Sequence, residues 1–141
     1  MNLAQARIFI TGLHSMNIQY LIDGMSAQMQ RERSKTQMTL GQIIEALEKM
    51  PGDAEVANIH GVHSYRGYYD DLAFEQGEGT RPATDLLADC KSAMGKAFEG
   101  YKGGRYVMGE LTPVWIADYG CCGVKLIALR AGGDIDVDYD D

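Results

Sequence analysis

Three cysteines are too few, and too awkwardly placed, to staple this 141-residue chain. Cys121 and Cys122 are adjacent and Cys90 is left over, so the even, spaced set of a secreted disulfide scaffold is missing. The thiols read as reduced, Cys121-Cys122 as a plain turn, and the protein as cytoplasmic. Neither Cys-x-x-Cys nor His-x-x-x-His spacing accompanies them, which argues against the common structural zinc sites. Positive charge is also short. Thirteen Lys plus Arg against 20 Asp plus Glu leave a formal charge of -7. A protein that grips a duplex backbone needs a net basic face, so duplex nucleic acid is not an expected partner. Long apolar runs are absent too. Ile8, Phe9 and Ile10 have no basic lead-in and no extended continuation, so neither a signal peptide nor a membrane span is predicted.

Recognisable catalytic constellations are missing as well. There is no Gly-x-x-x-x-Gly-Lys-Ser/Thr loop, no paired-carboxylate pattern and no Ser/His/Asp set. His60 and His63 have no third ligand near them in sequence, and Asp134, Asp136 and Asp138 lack the Gly and terminal Glu of a calcium loop. The expectation is a binder rather than an enzyme, with no catalytic residue, no metal and no cofactor.

What is present is enough apolar residue, 45%, for a real core, and a length that suits one domain with extensions. No internal repeat or interdomain linker interrupts it. Residues 1–37 are rich in Met and Gln and end in Gln30-Arg31-Glu32-Arg33-Ser34-Lys35. Leu21, Ile22, Met25 and Met29 recur at helical spacing, which predicts a helix around 17–35 in an extension that packs on the body or on a partner subunit. No chemistry is visible in it. Residues 38–131 form the predicted binding domain. Thr39 and Gln42 make a capping box, Met38 and Ile43 hold the staple positions, and Leu40, Ile43, Ile44, Leu47 and Met50 form an apolar face that Pro51-Gly52 ends. A strand is predicted over 54–59, and a second over 72–75, broken by Gly77-Glu78-Gly79. Thr80 and Pro82 open a second helix, with Leu86, Leu87, Cys90, Met94 and Phe98 on its buried side and Gly100 at its end. Short strands are predicted over 105–108, 112–119 and 124–130, the last two joined by a hairpin turn, with Trp115 in the core or on a pocket wall. Residues 132–141 read as an acidic, mobile, solvated tail. The order implies an α+β fold: a mostly antiparallel sheet, two main helices on one face, and an N-terminal helical extension.

Two aromatic–glycine–basic clusters flank the second predicted helix. The first is His63-Ser64-Tyr65-Arg66-Gly67-Tyr68-Tyr69-Asp70-Asp71, and the second is Phe98-Glu99-Gly100-Tyr101-Lys102-Gly103-Gly104-Arg105-Tyr106. Aromatic faces stack on bases, Arg and Lys donate to phosphate, and glycine lets backbone amides approach a ligand. The mixture suits a nucleotide-like ligand, with Tyr65, Arg66, Tyr68, Tyr69, Tyr101, Lys102, Gly103, Gly104 and Arg105 as its candidate contacts. Arg66 is the first choice for an anion, and Tyr101 or Tyr68 for a base. The other reading of the first cluster is a loop whose tyrosines pack on the sheet edge while Arg66 pairs with Asp70 or Asp71. The other reading of the second is a glycine helix cap followed by a turn.

The run from Met38 to Arg130, about two thirds of the chain, resembles a family. It carries Thr39-Leu40-Gly41-Gln42-Ile43-Ile44-Glu45-Ala46-Leu47-Glu48-Lys49-Met50-Pro51, then Ser64-Tyr65-Arg66-Gly67-Tyr68-Tyr69-Asp70-Asp71-Leu72-Ala73-Phe74, then Gly100-Tyr101-Lys102-Gly103-Gly104, then Thr112-Pro113-Val114-Trp115-Ile116-Ala117-Asp118-Tyr119-Gly120. In these stretches it is similar to the first-described kind of Thoeris anti-defence sponge protein, encoded by phages and prophages. The resemblance implies a non-catalytic protein of the host cell cytoplasm that sequesters cyclic ADP-ribose isomers and, in some members, cyclic trinucleotides. It also implies homo-oligomers, dimers building to hexamers, with ligand held between subunits. Residues 1–37 and the acidic tail lie outside it. Three other readings stay open: an anti-CRISPR-like inhibitor that uses its acidic surface to occlude a nucleic-acid channel, a nucleotide-processing enzyme using His60, His63 or an Asp pair, and an accessory protein whose aromatic clusters are subunit interface.

Overall fold

A computed structural model describes residues 28–100, 103–117 and 123–138. The predicted capping box sets the first helix, α1 (Leu40–Glu48): Thr39 N–H donates to Gln42 Oε1 at 3.0 Å, and Gln42 N–H to Thr39 Oγ1 at 3.2 Å. Leu40, Ile43 and Leu47 are its buried stripe. β1 (Glu55–Ser64) and β2 (Leu72–Pro82) follow as a long antiparallel pair. Pro82 then caps α2 (Ala83–Ala93), which buries Ala83, Leu86, Cys90 and Ala93. After α2 come β3 (Ala97–Glu99), β4 (Arg105–Val107), β5 (Val114–Ile116), β6 (Val124–Leu129) and β7 (Ile135–Asp138).

The main sheet has the order β1-β2-β5-β6-β7, and only the β2–β5 pair in it is parallel. β3 and β4 form a separate two-stranded ribbon. Side chains of a strand alternate between the two faces of its sheet. Leu72, Phe74, Val114 and Ile116 accordingly join Leu40, Ile43, Leu47, Leu86 and Cys90 in the main core, under the two helices. Ala73, Trp115 and Ala117 point the other way and form a second, small cluster with Tyr65. The fold is α+β, with a mostly antiparallel sheet and both main helices on one face. No helix among the described residues is long and apolar enough to cross a membrane.

Four local expectations are corrected. β1 and β2 run well past residues 59 and 75, because Gly61 (φ +65°) and Gly79 (φ +73°) sit in strand irregularities rather than ending the strands. The second helix stops at Ala93 rather than at Gly100. Met94 is already extended and Gly95 is left-handed at φ +82°. Phe98 therefore lies on β3, opposite Tyr106 of β4, and the i, i+4 spacing of Cys90, Met94 and Phe98 only imitates a helix. Residues 135–138 of the expected mobile tail are β7, paired along β6, with Ile135 and Val137 packed on the core. Their alternation with Asp134, Asp136 and Asp138 is a strand pattern that the charge concealed.

The end of the expected N-terminal helix is helical over 28–33, while 17–27 lies outside the described residues. It docks on the body through Gln30, Arg33 and Gln37, whose Nε2 donates to Val114 O at 2.9 Å. Met38 then enters the sheet region, donating to Leu126 O at 2.7 Å and accepting from Val114 N–H at 3.0 Å.

Candidate ligand-binding site

The link between β1 and β2 is a compact double turn closed by its own backbone. Tyr68 N–H donates to Tyr65 O, Asp71 N–H to Tyr68 O, and Tyr65 N–H to Asp71 O, at 2.8–3.0 Å. Ser64 Oγ adds a bond to Tyr69 O at 3.0 Å. This closure sends Tyr65, Asp70 and Asp71 inward and leaves Arg66, Gly67 and Tyr68 exposed.

Tyr65 stacks on Trp115, with centroids 4.3 Å apart and planes 5° from parallel. The Tyr65 hydroxyl accepts from Gly123 N–H at 3.0 Å. A Cβ at Gly123 would come within 2.6 Å of Ile116 O and 3.1 Å of the Tyr65 ring, so only glycine lets the backbone approach this closely. Tyr68 is 6.2 Å from Tyr65 and 6.0 Å from Trp115, nearly parallel to both. Being almost equidistant, it lies beside the stacked pair rather than on top of it. The three rings, with Arg33, Gly67 and Lys125, line a hollow of about 380 Å³, within the size range of small-molecule sites.

Behind the rings lies a buried charge network. Asp71 has no solvent exposure. Its Oδ2 accepts from Trp115 Nε1 at 2.8 Å, and its Oδ1 from Arg33 Nη1 at 3.1 Å. The Arg33 guanidinium lies 3.6 Å above the centre of the Tyr68 ring, a cation–π contact. Asp70 Oδ2 is 3.6 Å from the same Nη1, within ion-pair reach but without a hydrogen bond. Burial pushes the Asp71 carboxyl up to about 7, against the opposing pull of Trp115 and Arg33. Burial also raises Asp70, which Arg33 pulls back down. A carboxyl that binds its proton more tightly when folded stabilises the fold below its unfolded value and loses that contribution as pH rises through its folded value. Stability is therefore expected to fall between about pH 4 and pH 7, with a slope of at most about 1.4 kcal/mol per pH unit from Asp71. Asp71→Asn should flatten that limb of a thermal-denaturation pH series.

The two clusters meet, but not at the hollow. Tyr69 stacks on Tyr106 at 5.9 Å, and Gly100 sits against both rings. Gly103 N–H is spent on Gly100 O at 3.0 Å, closing the β3–β4 turn, where Gly103 and Gly104 take φ +97° and +91°. Arg105 lies on β4 opposite Glu99. Tyr101 and Lys102 lie outside the described residues, as do Cys121 and Cys122. Of the expected contacts, Tyr65 and Tyr68 line the hollow. Arg66 is exposed on the turn and does not. Asp70 and Asp71 pair with Arg33 instead, which corrects the alternative in which Arg66 was their partner. Arg33 and Lys125 went unnoticed in the sequence. Nothing in the Arg31–Lys35 charge run marks Arg33 out, and Lys125 looks like an ordinary strand residue.

His60 lies opposite Glu75 in the β1–β2 register, while His63 Nδ1 is 3.2 Å from Ser64 O and Nε2 is 3.4 Å from Ala117 O. A register shift separates the two histidines. Among the described residues no group of three or more His, Cys, Asp or Glu is placed to hold a metal ion. Cys90 is buried in the main core, and burial pushes its thiol up to about 12, which keeps it protonated. No protein-family model, curated protein or solved structure matches the chain.

Proposed function

We propose that this chain is a phage-encoded anti-defence protein that binds and sequesters a nucleotide-derived immune signalling molecule without turning it over. The observation that carries the reading is the hollow of about 380 Å³ walled by Tyr65, Tyr68 and Trp115 with Lys125 on its rim. Tyr68, 40% exposed, offers the accessible ring for a base. Lys125 has no ion-pair partner among the described residues and supplies a cation for a phosphate. Arg33 screens the two carboxylates behind the rings, which lessens their repulsion of an anionic ligand. The resemblance across residues 38–130 adds the ligand class, cyclic ADP-ribose isomers or cyclic oligonucleotides, and a dimer-to-hexamer assembly in the host cytoplasm.

The test is thermal shift and isothermal titration against cyclic ADP-ribose isomers and cyclic di- and trinucleotides, followed by denaturation and analysis of the released ligand. Stabilisation by several degrees with intact ligand recovered is the expected result. Altered ligand would mean an enzyme, and no shift with any of these compounds would overturn the reading. Tyr68→Ala and Lys125→Ala should each weaken binding about tenfold or more, from lost stacking and lost charge. Arg66→Ala distinguishes the exposed turn from the hollow: an unchanged affinity removes Arg66 from the site.

A further inference from the structure

Arg33 occupies a place built for a guanidinium. The floor is Asp71, fully buried and held by Trp115 Nε1 on its far oxygen, so that Oδ1 faces the incoming cation. The wall is the face of Tyr68, 3.6 Å from the Arg33 Cζ. A planar delocalised cation fits such a wall, whereas a hydrated ammonium does not. Asp70 supplies a second carboxylate whose side chain is only 8% exposed.

Yet Arg33 fills this place incompletely. The same Nη1 reaches both carboxylates, at 3.1 Å to Asp71 and 3.6 Å to Asp70. Asp70 Oδ2 is thereby left buried without a hydrogen-bond donor. A guanidinium fork has five donors, enough to give each carboxylate its own N–H. The backbone behind Arg33 is anchored. Thr36 N–H bonds back to Arg33 O at 2.9 Å, and Gln37 is fixed at Val114, four residues along the chain. Much of the helical stretch that carries Arg33 faces outward. Gln28, Met29, Arg31 and Glu32 are exposed, and among the described residues Gln30 Nε2 adds a bond to Asp70 O at 2.7 Å.

We propose that Asp70, Asp71 and the Tyr68 ring form a seat for the guanidinium of an arginine presented by a partner protein, and that Arg33 is an internal plug which this arginine displaces. The formal charge of -7 favours encounter with a basic partner. Two carboxylates share one cation here, which leaves the site with an excess of one negative group when both are ionised. The seat shares Arg33 and the Tyr68 ring with the hollow, but its carboxylate floor takes a cation whether or not a nucleotide binds in front.

Trp115 is the only tryptophan in the chain, so its fluorescence reports directly on Asp71. The experiment titrates Nα-acetyl-arginine amide, and Nα-acetyl-lysine amide as control, into the full chain and into Arg33→Ala and Arg33→Met. Arg33→Met keeps the apolar stem if Arg33→Ala fails to fold. With the plug removed, the arginine compound should give a saturable Trp115 signal at about tenfold lower concentration than in the unmodified chain, and about tenfold lower than the lysine compound. Asp70→Asn in the Arg33→Met background should abolish it. If both Arg33 variants are unfolded, recovery of their circular dichroism by the arginine compound alone supports the seat, and no recovery overturns it. A folded variant that shows no saturation, or equal response to both compounds, also overturns it. A dimer of the unmodified chain that Arg33→Met converts to monomer would assign the seat to a second copy's Arg33 and overturn the partner reading.

Discussion

Asp71→Ala is expected to cost about 3 kcal/mol of folding stability, seen as a fall of about 10 °C in melting temperature at neutral pH. The carboxylate joins three otherwise separate parts: the β1–β2 turn, Trp115 on β5, and Arg33 in the N-terminal segment. Its loss leaves a buried indole N–H without an acceptor and a mostly buried guanidinium with one distant counter-charge. Relief of the burial penalty that raises its proton affinity offsets part of the loss, which holds the figure at the low end for a broken buried pair. Asp71→Asn should cost less, about 1–2 kcal/mol, because an amide oxygen still accepts from Trp115. Equal losses for Ala and Asn would show that the charge, rather than the indole bond, carries the network.

Trp115→Ala should be more damaging still, about 3–5 kcal/mol by urea denaturation. Trp115 is 3% exposed, and its ring is the surface on which Tyr65 lies. Beneath it are Ala73 and Ala117, too small to close the space. Trp115→Phe separates the contributions. It keeps an aromatic face for Tyr65 but removes the N–H, and about 1–3 kcal/mol should follow from the unsatisfied Asp71 oxygen. In a double-mutant cycle the Trp115→Phe and Asp71→Ala losses should fall short of additive, because both delete one hydrogen bond. Additive losses would mean that the bond contributes nothing measurable.

Local chemistry made much of the fold legible. The Thr39–Gln42 reciprocal cap lies within four residues, and α1 begins where it says. Pro82 marks the start of α2 through its fixed φ rather than through a cap bond, while Thr80, expected to open the helix with it, lies on β2. The sequence misleads where two patterns compete. Phe98 continues the apolar spacing of α2, but the left-handed turn at Gly95 overrides it. Ile135 and Val137 alternate as a strand should, inside a segment whose acidity suggests solvent. The candidate site was half legible. Tyr65 and Tyr68 belong to a composition that announces itself. The cation facing Asp71 does not, because it lies 38 residues upstream in a segment without chemical pattern. Local pairing makes Arg66 the natural partner, and only the docking of the N-terminal segment replaces it with Arg33.

Met38 has a consequence for the order of assembly. Its two backbone bonds reach Val114 and Leu126, in the last third of the chain. During synthesis, the β1–β2 hairpin and α2 have all their mutual contacts within residues 55–93 and can form before β5 or β6 emerges. Met38, made before β1, has to wait for β6 before its N–H finds the Leu126 carbonyl. Such long closures cost little entropy beyond that of shorter loops but are slow to form. Until β5 arrives, Asp71 lacks the indole of Trp115, and Gln37 lacks the Val114 carbonyl that helps to hold the Arg33 segment. The buried network is therefore a late product of folding, and an incomplete chain would carry its two adjacent carboxylates open to water.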